Sequence, residues 1–234
     1  MIRQLVSAAA LMAVGGCAAS ISPQGARFLT AAGPTGDYGL PVKSVDERRF
    51  EGIVRQRFDF SCGSAALATL LRYHYADRID ERQTFIGMWR DGDQAQIRRV
   101  GFSLLDMKRY LAGRQLTADG YQVSLDQVAQ AGVPGIALIS IRNYKHFVVV
   151  KGVTPTDVLV GDPSTGVQVY PRERFQEAWN GIYFVINDRQ EQGRAAFNRG
   201  TQWATVARAP VGDDFHDPLS LQALSITAPF YRDF

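Results

Sequence analysis

Apolar residues recur at helical spacing through the first half of this chain and form short continuous runs through the second half. The helical spacing predicts four helices, at 62–75, 78–90, 103–112 and 124–130. The short runs, rich in β-branched residues, predict strands at 136–141, 147–150, 158–162, 167–170 and 181–186, with a helix at 172–179. Helices followed by an antiparallel sheet indicate an α+β fold.

The first 19 residues have the pattern of an export signal. A basic start precedes an apolar run and then small residues, and the run is too short to span a bilayer. The segment Val14–Cys17 also resembles a lipobox, so lipidation of Cys17 and simple cleavage near Ala19 are two alternatives. Both predict a periplasmic protein, the first one with a lipid anchor.

Composition divides the remaining chain into three parts. Gly- and Pro-containing turns without periodicity predict a linker over 20–45, which leaves 46–186 as the folded domain. From Asn187 the sequence turns polar and irregular, so 187–234 is predicted to be an extension. The net charge is +3 without a basic block, which argues against nucleic acid as a partner. The three histidines lie far apart and no C-x-x-C occurs, so we expect neither a metal site nor a cofactor.

A single cysteine stands out in the predicted domain. Of the two cysteines, Cys17 is removed or lipidated, which leaves Cys62 as a free thiol in an exported protein. Cys62 follows an extended segment in which Phe58 and Phe60 alternate with polar residues, and it begins an apolar helix. The positive end of the helix dipole there favours a thiolate. A small buried hydrophobe is the other interpretation of such a residue, but we favour a reactive nucleophile.

A cysteine nucleophile needs a base, and His146 is the candidate. His74 lies at the far end of the first helix, roughly 18 Å from Cys62 at about 1.5 Å per residue, and His216 lies in the tail. Asp162 ends the strand after the His146 strand, so a hairpin would bring the two side chains to one edge of the sheet. Gln56, six residues before Cys62, is a candidate oxyanion-hole donor together with the Cys62 backbone N–H.

Several segments fall in the order and spacing of one peptidase family. They are Gln56, Asp59–Gly63, Gly101–Leu105, His146–Val150 and Asp162-Pro163. Over about residues 50–186 the chain resembles the C39 peptidases, papain-like cysteine proteases that remove double-glycine leader peptides from bacteriocins. The resemblance implies a papain-like fold in which Cys62 is the nucleophile, His146 the base, Asp162 its orienting group and Gln56 the oxyanion-hole side chain.

The chain differs from the usual C39 setting. Bacteriocin C39 domains are commonly fused to membrane-spanning ABC transporters, whereas this sequence has an export signal and neither a transporter nor an ATP-binding loop. It is more similar to stand-alone periplasmic members from Gram-negative bacteria. The expected function is therefore an exported cysteine endopeptidase. Its expected partner is an extended peptide or protein substrate, with an amyloid subunit and an outer-membrane secretion pore as candidates.

Two other functions fit the same residues. A peptidoglycan stem-peptide hydrolase shares the Cys-then-His order and the compartment, but the Phe60–Ser64 flank differs from the Asp-Cys-Ser-Gly common in that group. A non-catalytic peptide-binding or assembly module would keep the cleft without turnover. The presence of all four predicted site residues favours an enzyme over that module.

Overall fold

The computed structural model of this chain describes residues 43–206, except 59, 142 and 143. The predicted signal segment, nearly all of the predicted linker, Cys17 and the chain from 207 onward, with His216, lie outside the described residues. None of the described helices combines the length and the apolar character that crossing a membrane requires.

The described residues form helices and strands that alternate after an initial helical stretch. The helices are α1 Val45–Arg49, α2 Cys62–His74, α3 Glu81–Asp91, α4 Gln94–Val100, α5 Leu104–Ala112, α6 Leu125–Ala131, α7 Arg172–Ala178, α8 Gln190–Ala196 and α9 Gly200–Ala204. The strands are β1 Ala118–Gln122, β2 Gly135–Ile141, β3 Tyr144–Val153, β4 Asp157–Asp162, β5 Gly166–Pro171 and β6 Trp179–Ile186.

The six strands form one antiparallel sheet in the order β1-β6-β2-β3-β4-β5. The α+β class predicted from the sequence, with N-terminal helices on an antiparallel sheet, is confirmed. Strand β3 lies inside the sheet, paired with β2 on one side and β4 on the other. Both faces of β3 are buried, which explains why its sequence is a nearly continuous apolar run.

Helices cover both faces of this sheet. Alternate residues of β3 belong to different cores, because successive side chains of a strand point to opposite faces. Phe147 and Val149 pack with α2, α3 and α5, whereas Val148 and Val150 pack with α6 and α7. Helix α2 lies against β3 and is buried along most of its length, which fixes the start of α2 relative to the sheet.

Side-chain caps start four of the nine described helices. Ser103 and Ser124 form the predicted capping boxes of α5 and α6. The helix predicted from 78 begins instead at Glu81, because Asp80 caps it and pairs with Gln83. Three elements before β2 were missed, α1, α4 and β1. Asp93 caps the short helix α4, and β1 is a polar, largely exposed edge strand that offers no apolar run.

The segment from Phe58 to Phe60 is not the short strand that the alternation predicted. The Ser61 N–H donates to the Phe58 carbonyl at 3.0 Å, which closes a turn just before α2. The two rings stack on each other with centroids 5.9 Å apart and both contact Phe85 of α3. Aromatic packing against a neighbouring helix therefore replaces strand pairing here.

The chain after Asn187 also differs from the irregular segment that its polarity suggested. Helices α8 and α9 form there, and Ala196 and Phe197 are buried. The Asn198 N–H donates to the Lys151 carbonyl at 2.9 Å, so this segment is tied to strand β3. The Asn198 side-chain amide also donates to the Val153 carbonyl at 2.8 Å, and Trp203 packs against the cluster of Ile53, Leu159 and Val167, contacts that a mostly polar composition does not indicate.

Candidate active site

Cys62 is the first residue of α2, and it is a buried free cysteine. The helix after it is rich in alanine and leucine, and those residues are almost fully buried against β3 and the neighbouring helices. That packing holds the N-terminal turn of α2, with its unpaired backbone N–H groups and partial positive charge, around the thiol.

His146 and Asp162 meet where the sequence placed them. The register of β3 against β4 pairs Val149 with Gly161, so the start of β3 lies beside the end of β4. His146 Nε2 lies 2.8 Å from Asp162 Oδ1, and both side chains are buried. The hairpin therefore brings the predicted base and its orienting group together.

Asp162 is held by more than the imidazole. The Ser164 N–H and hydroxyl donate to Asp162 Oδ1 at 2.7 and 2.8 Å, and the Thr165 N–H donates to it at 3.2 Å. Burial opposes ionisation of this carboxyl, but the bonds from His146 and Ser164 and the imidazolium charge outweigh it. The pKa of Asp162 is therefore well below its ordinary value, and the carboxylate stays ionised as the turn after β4 fixes it.

His146 is set up to carry a proton. Burial lowers the pKa of His146, but hydrogen bonds and charge attraction from Asp162 and Cys62 outweigh burial and raise it to about 9. Asp162 is hydrogen-bonded to Nε2 of the ring. Nδ1 is therefore the ring atom available to the thiol, and it is buried without another partner among the described residues. Tyr144 stacks on the imidazole with ring centroids 6.0 Å apart, which restricts rotation of the ring.

Gln56 lies next to the orienting group rather than in the groove beside Cys62. Its N–H donates to the Pro163 carbonyl at 2.9 Å, directly after Asp162. Its side-chain Oε1 is buried without a partner among the described residues, and the residue lines a cavity of about 350 Å³ together with Arg57 and Glu81. The oxyanion-hole role of Gln56 stays a prediction.

A groove of about 900 Å³ opens beside Cys62. Its walls are mainly apolar and include Phe60, Phe102, Leu104, Leu105, Leu138 and Phe147. Arg98, Arg99 and Lys145 also line it, and none of its described lining residues is acidic. The groove is open to solvent, and its wall favours apolar side chains while its positive charge favours acidic ones.

The other described histidine has no part in this site. His74 is buried at the end of α2, twelve residues along the helix from Cys62. Burial, followed by the nearby Lys151, lowers its pKa to about 3, so the ring is neutral. This placement agrees with excluding His74 as the base.

One residue at the site was missed from the sequence. Glu81 is buried and accepts hydrogen bonds from the Arg57 N–H and the Ser61 hydroxyl, on the turn before Cys62. The Asp80–Gln83 capping pattern marks a helix start and would have placed Glu81 in its first turn. Nothing local indicates that this turn lies against Cys62.

The sequence of this chain matches one known protein family. The sequence profile of the Peptidase C39 family matches residues 51–191. A protein of Pseudomonas fluorescens described as "Probable functional amyloid protease FapD" is 40% identical over 177 residues, 74% of this chain and 78% of that protein. A protein of the same description from Pseudomonas aeruginosa PAO1 is 44% identical over 145 residues, 62% of this chain. The match covers 64% of the P. aeruginosa protein, just under two thirds of its length.

Solved structures with similar chain paths include two peptidase domains. The peptidase domain of Streptococcus ComA, a bi-functional ABC transporter, is 20% identical with a TM-score of 0.48, over 57% of this chain and 96% of that one. A double glycine motif protease from an AMS/PCAT transporter, solved with its leader peptide, is 25% identical with a TM-score of 0.48, over 57% of this chain and 89% of that one.

Proposed function

Because this chain belongs to the peptidase C39 family, we propose that it is an exported cysteine endopeptidase that cleaves an extended segment of another exported protein. The C39 family and the α+β fold class expected from the sequence are confirmed. One observation carries the proposed chemistry. The 2.8 Å His146–Asp162 pair faces a free thiol at a helix start, beside an open groove.

The reaction begins with the thiolate of Cys62. Its sulfur attacks the peptide carbonyl carbon and forms a C–S bond, while the carbonyl electrons move to the oxygen. Collapse of this tetrahedral intermediate breaks the C–N bond, and His146 gives its proton to the leaving amine. Water, deprotonated by the now neutral imidazole, then attacks the thioester and releases the acid product and the thiolate.

Asp162 keeps His146 ready for both proton transfers. The carboxylate bound to Nε2 stabilises the imidazolium and turns Nδ1 toward the sulfur. Since the raised pKa favours the imidazolium, His146 is protonated at neutral pH and can donate a proton in the reaction. The backbone N–H groups at the start of α2, with Gln56 as the second donor, would stabilise the oxyanion.

The substrate class follows from the groove and from the relatives. An apolar wall with Arg98, Arg99 and Lys145 suits an extended peptide that carries apolar and acidic residues. The names of the relatives point to functional amyloid, so we propose an amyloid subunit or its outer-membrane secretion pore as the natural substrate. The export pattern of residues 1–19 supports a periplasmic location, with Cys17 as the site of a lipid anchor.

The test is digestion of a proteome-derived peptide library by the purified protein, with new N-termini identified by mass spectrometry. We expect one consistent cleavage pattern that Cys62→Ala and His146→Ala each abolish while the unfolding midpoint stays close to that of the wild type. Ser140→Ala, at an exposed position of β2, is the matched control and should cleave normally.

Other outcomes would replace the proposal. Release of soluble muropeptides from purified sacculi, without cleavage of the peptide library, would identify a stem-peptide hydrolase. Amyloid secretion restored by Cys62→Ala in a deletion strain would identify a binding or assembly module, because that variant has no nucleophile.

A further inference from the structure

The mechanism above assigns no role to Glu81. We propose that Glu81 is a positioning residue, whose carboxylate clamps the turn before Cys62 and keeps the N-terminal amides of α2 free for the reaction. The inference rests on the proposed function, since it assigns a role in placing the nucleophile and the oxyanion donors.

One carboxylate oxygen holds both ends of the turn. Glu81 Oε1 accepts from the Arg57 N–H at 3.0 Å and from the Ser61 hydroxyl at 2.6 Å. Arg57 directly follows Gln56, and Ser61 directly precedes Cys62. The same atom therefore fixes the separation between the proposed oxyanion side chain and the nucleophile.

The Ser61 hydroxyl is diverted from its usual task. A serine before a helix commonly accepts a hydrogen bond from the second or third helical N–H and so caps the helix. Here the hydroxyl accepts from the Phe58 N–H at 3.1 Å and lies closest to Glu81, and no side-chain cap of α2 forms. Phe58 O lies 2.9 Å from the hydroxyl, but the shorter contact to Glu81 takes its proton.

The absence of that cap has a chemical use. A capping hydroxyl would occupy an N–H group at the start of α2, close to where the thiolate and the oxyanion must be stabilised. With Ser61 bound to Glu81 and Phe58, the first amides of α2 keep their donors for the sulfur and the substrate oxygen. Glu81 thus acts on the reaction through Ser61 rather than by touching the substrate.

Glu81 is itself held rigidly by α3. It is the first residue of that helix, directly after the Asp80 cap, where the helix dipole favours a negative charge. The residue is only 4% exposed. Arg57 Nε lies 3.7 Å from its other oxygen, but the Arg57 side chain is 73% exposed, so this ion pair contributes little. The two hydrogen bonds that Oε1 accepts are therefore the contacts by which Glu81 holds the turn.

The experiment compares four substitutions in the full-length protein: Glu81→Ala, Glu81→Gln, Glu81→Asp and Asp80→Ala. The two readouts are kcat and KM on a quenched fluorescent peptide with Gly-Gly before the scissile bond, and the rate of iodoacetamide alkylation at Cys62. The alkylation rate is read from the Cys62 peptide by mass spectrometry across pH, so Cys17 does not interfere. Asp80→Ala is the matched control, because it removes the cap of α3 and leaves both bonds to Oε1 in place.

Loss of the clamp should reduce kcat more than it raises KM. We expect Glu81→Ala and Glu81→Asp to lower kcat/KM by about 100-fold, since displacing a nucleophile by about 1 Å has that effect. Glu81→Gln keeps an oxygen that accepts both bonds and should stay within about fivefold of wild type. Asp80→Ala should lower the unfolding midpoint and leave kcat/KM nearly unchanged.

A double-mutant cycle covers the case in which Glu81→Ala fails to fold. Ser61→Ala removes one donor to Glu81, so Glu81→Asp should lower kcat/KM by a smaller factor in the Ser61→Ala background than in the wild type. Equal losses in Glu81→Ala and Asp80→Ala, or a Glu81→Gln variant as slow as Glu81→Ala, would overturn the inference. A wild-type protein inert in both assays would instead overturn the proposed function.

Discussion

Asp162→Asn tests the electrostatic core of the site with little change in shape. The asparagine Oδ1 can still accept from the Ser164 N–H and hydroxyl and from the Thr165 N–H, so the turn after β4 should keep its form. What disappears is the negative charge 2.8 Å from His146 Nε2. Asp162→Ala, which leaves these donors without an acceptor, is the harsher comparison.

The size of the effect follows from the pKa of His146. Burial alone would lower that pKa, yet Asp162 and Cys62 raise it from 6.5 to about 9. At about 1.4 kcal/mol per pKa unit, the rise corresponds to about 3 kcal/mol of preference for the imidazolium. Removing an adjacent opposite charge commonly shifts a pKa by about 1–3 units, so we expect the His146 pKa in Asp162→Asn to fall by at least about one unit.

The same pair sets a pH range for stability. The raised pKa of His146 means that its stabilising contribution is present in full below pH 6.5 and is lost as pH rises through about 9. The lowered pKa of Asp162 means that its contribution is present in full above 3.8 and is lost as pH falls toward the folded-state value. Asp162→Asn should therefore be most destabilising, relative to wild type, between about pH 4 and 6.5.

NMR of the imidazole signals across pH measures the pKa of His146 directly. The chain has three histidines, and His146→Ala assigns the signal by its disappearance. Denaturant unfolding at the same pH values measures the stability that Asp162→Asn loses relative to wild type. A His146 midpoint that stays near 9 in Asp162→Asn, or a stability loss that does not depend on pH, would refute the assigned role of the carboxylate.

Three further predictions concern the frame around the site. Leu70→Ala, at a fully buried position of α2, should lower the free energy of unfolding by about 2–5 kcal/mol. Leu105, by contrast, is half exposed at the groove, so Leu105→Ala should change the free energy of unfolding by less than about 0.5 kcal/mol and raise KM. Gly101 has a φ of 82°, so Gly101→Ala should destabilise by about 1–3 kcal/mol in thermal unfolding, while Gly113→Ala, at a φ of −62°, should not. Burial lowers the pKa of Lys151 to about 8 from 10.5, so the stability of Lys151→Met relative to wild type should be highest below pH 8 and should fall as pH rises through 10.5. Loss of the Lys151 Nζ bond to the Gly52 carbonyl adds a destabilising contribution to the variant; a difference that does not change with pH would contradict the prediction.

The sequence was sufficient for the parts of the site that depend on neighbouring residues. Cys62 at a helix start, and the meeting of His146 with Asp162, follow from hydrophobic periodicity and from the geometry of a hairpin. The position of Gln56 and the contacts of Glu81 depend on how α3 and the turn after β4 pack beside the nucleophile. Those contacts join residues far apart in the chain, and no local pattern records them.

The segment before Cys62 shows why such distant contacts decide the geometry. It contains no helix or strand over 52–57, yet four of its backbone groups bind distant elements. The Gly52 carbonyl accepts from Lys151 Nζ at 2.9 Å, the Val54 N–H donates to Thr69 Oγ1 at 2.9 Å, the Gln56 N–H to the Pro163 carbonyl at 2.9 Å, and the Arg57 N–H to Glu81 Oε1 at 3.0 Å.

These four bonds join one irregular segment to β3, α2, the turn after β4 and α3. Each buried donor or acceptor would cost about 1–3 kcal/mol if it lost its partner, so the segment resists local displacement despite having no secondary structure. The proposed oxyanion donor Gln56 lies within that segment, and the nucleophile Cys62 follows it along the chain. The base His146 and its orienting group Asp162 lie on the sheet to which the segment is tied. The relative position of the two halves of the site is therefore set by backbone hydrogen bonds, and substitutions at Lys151, Thr69 or Glu81 should change activity through geometry alone.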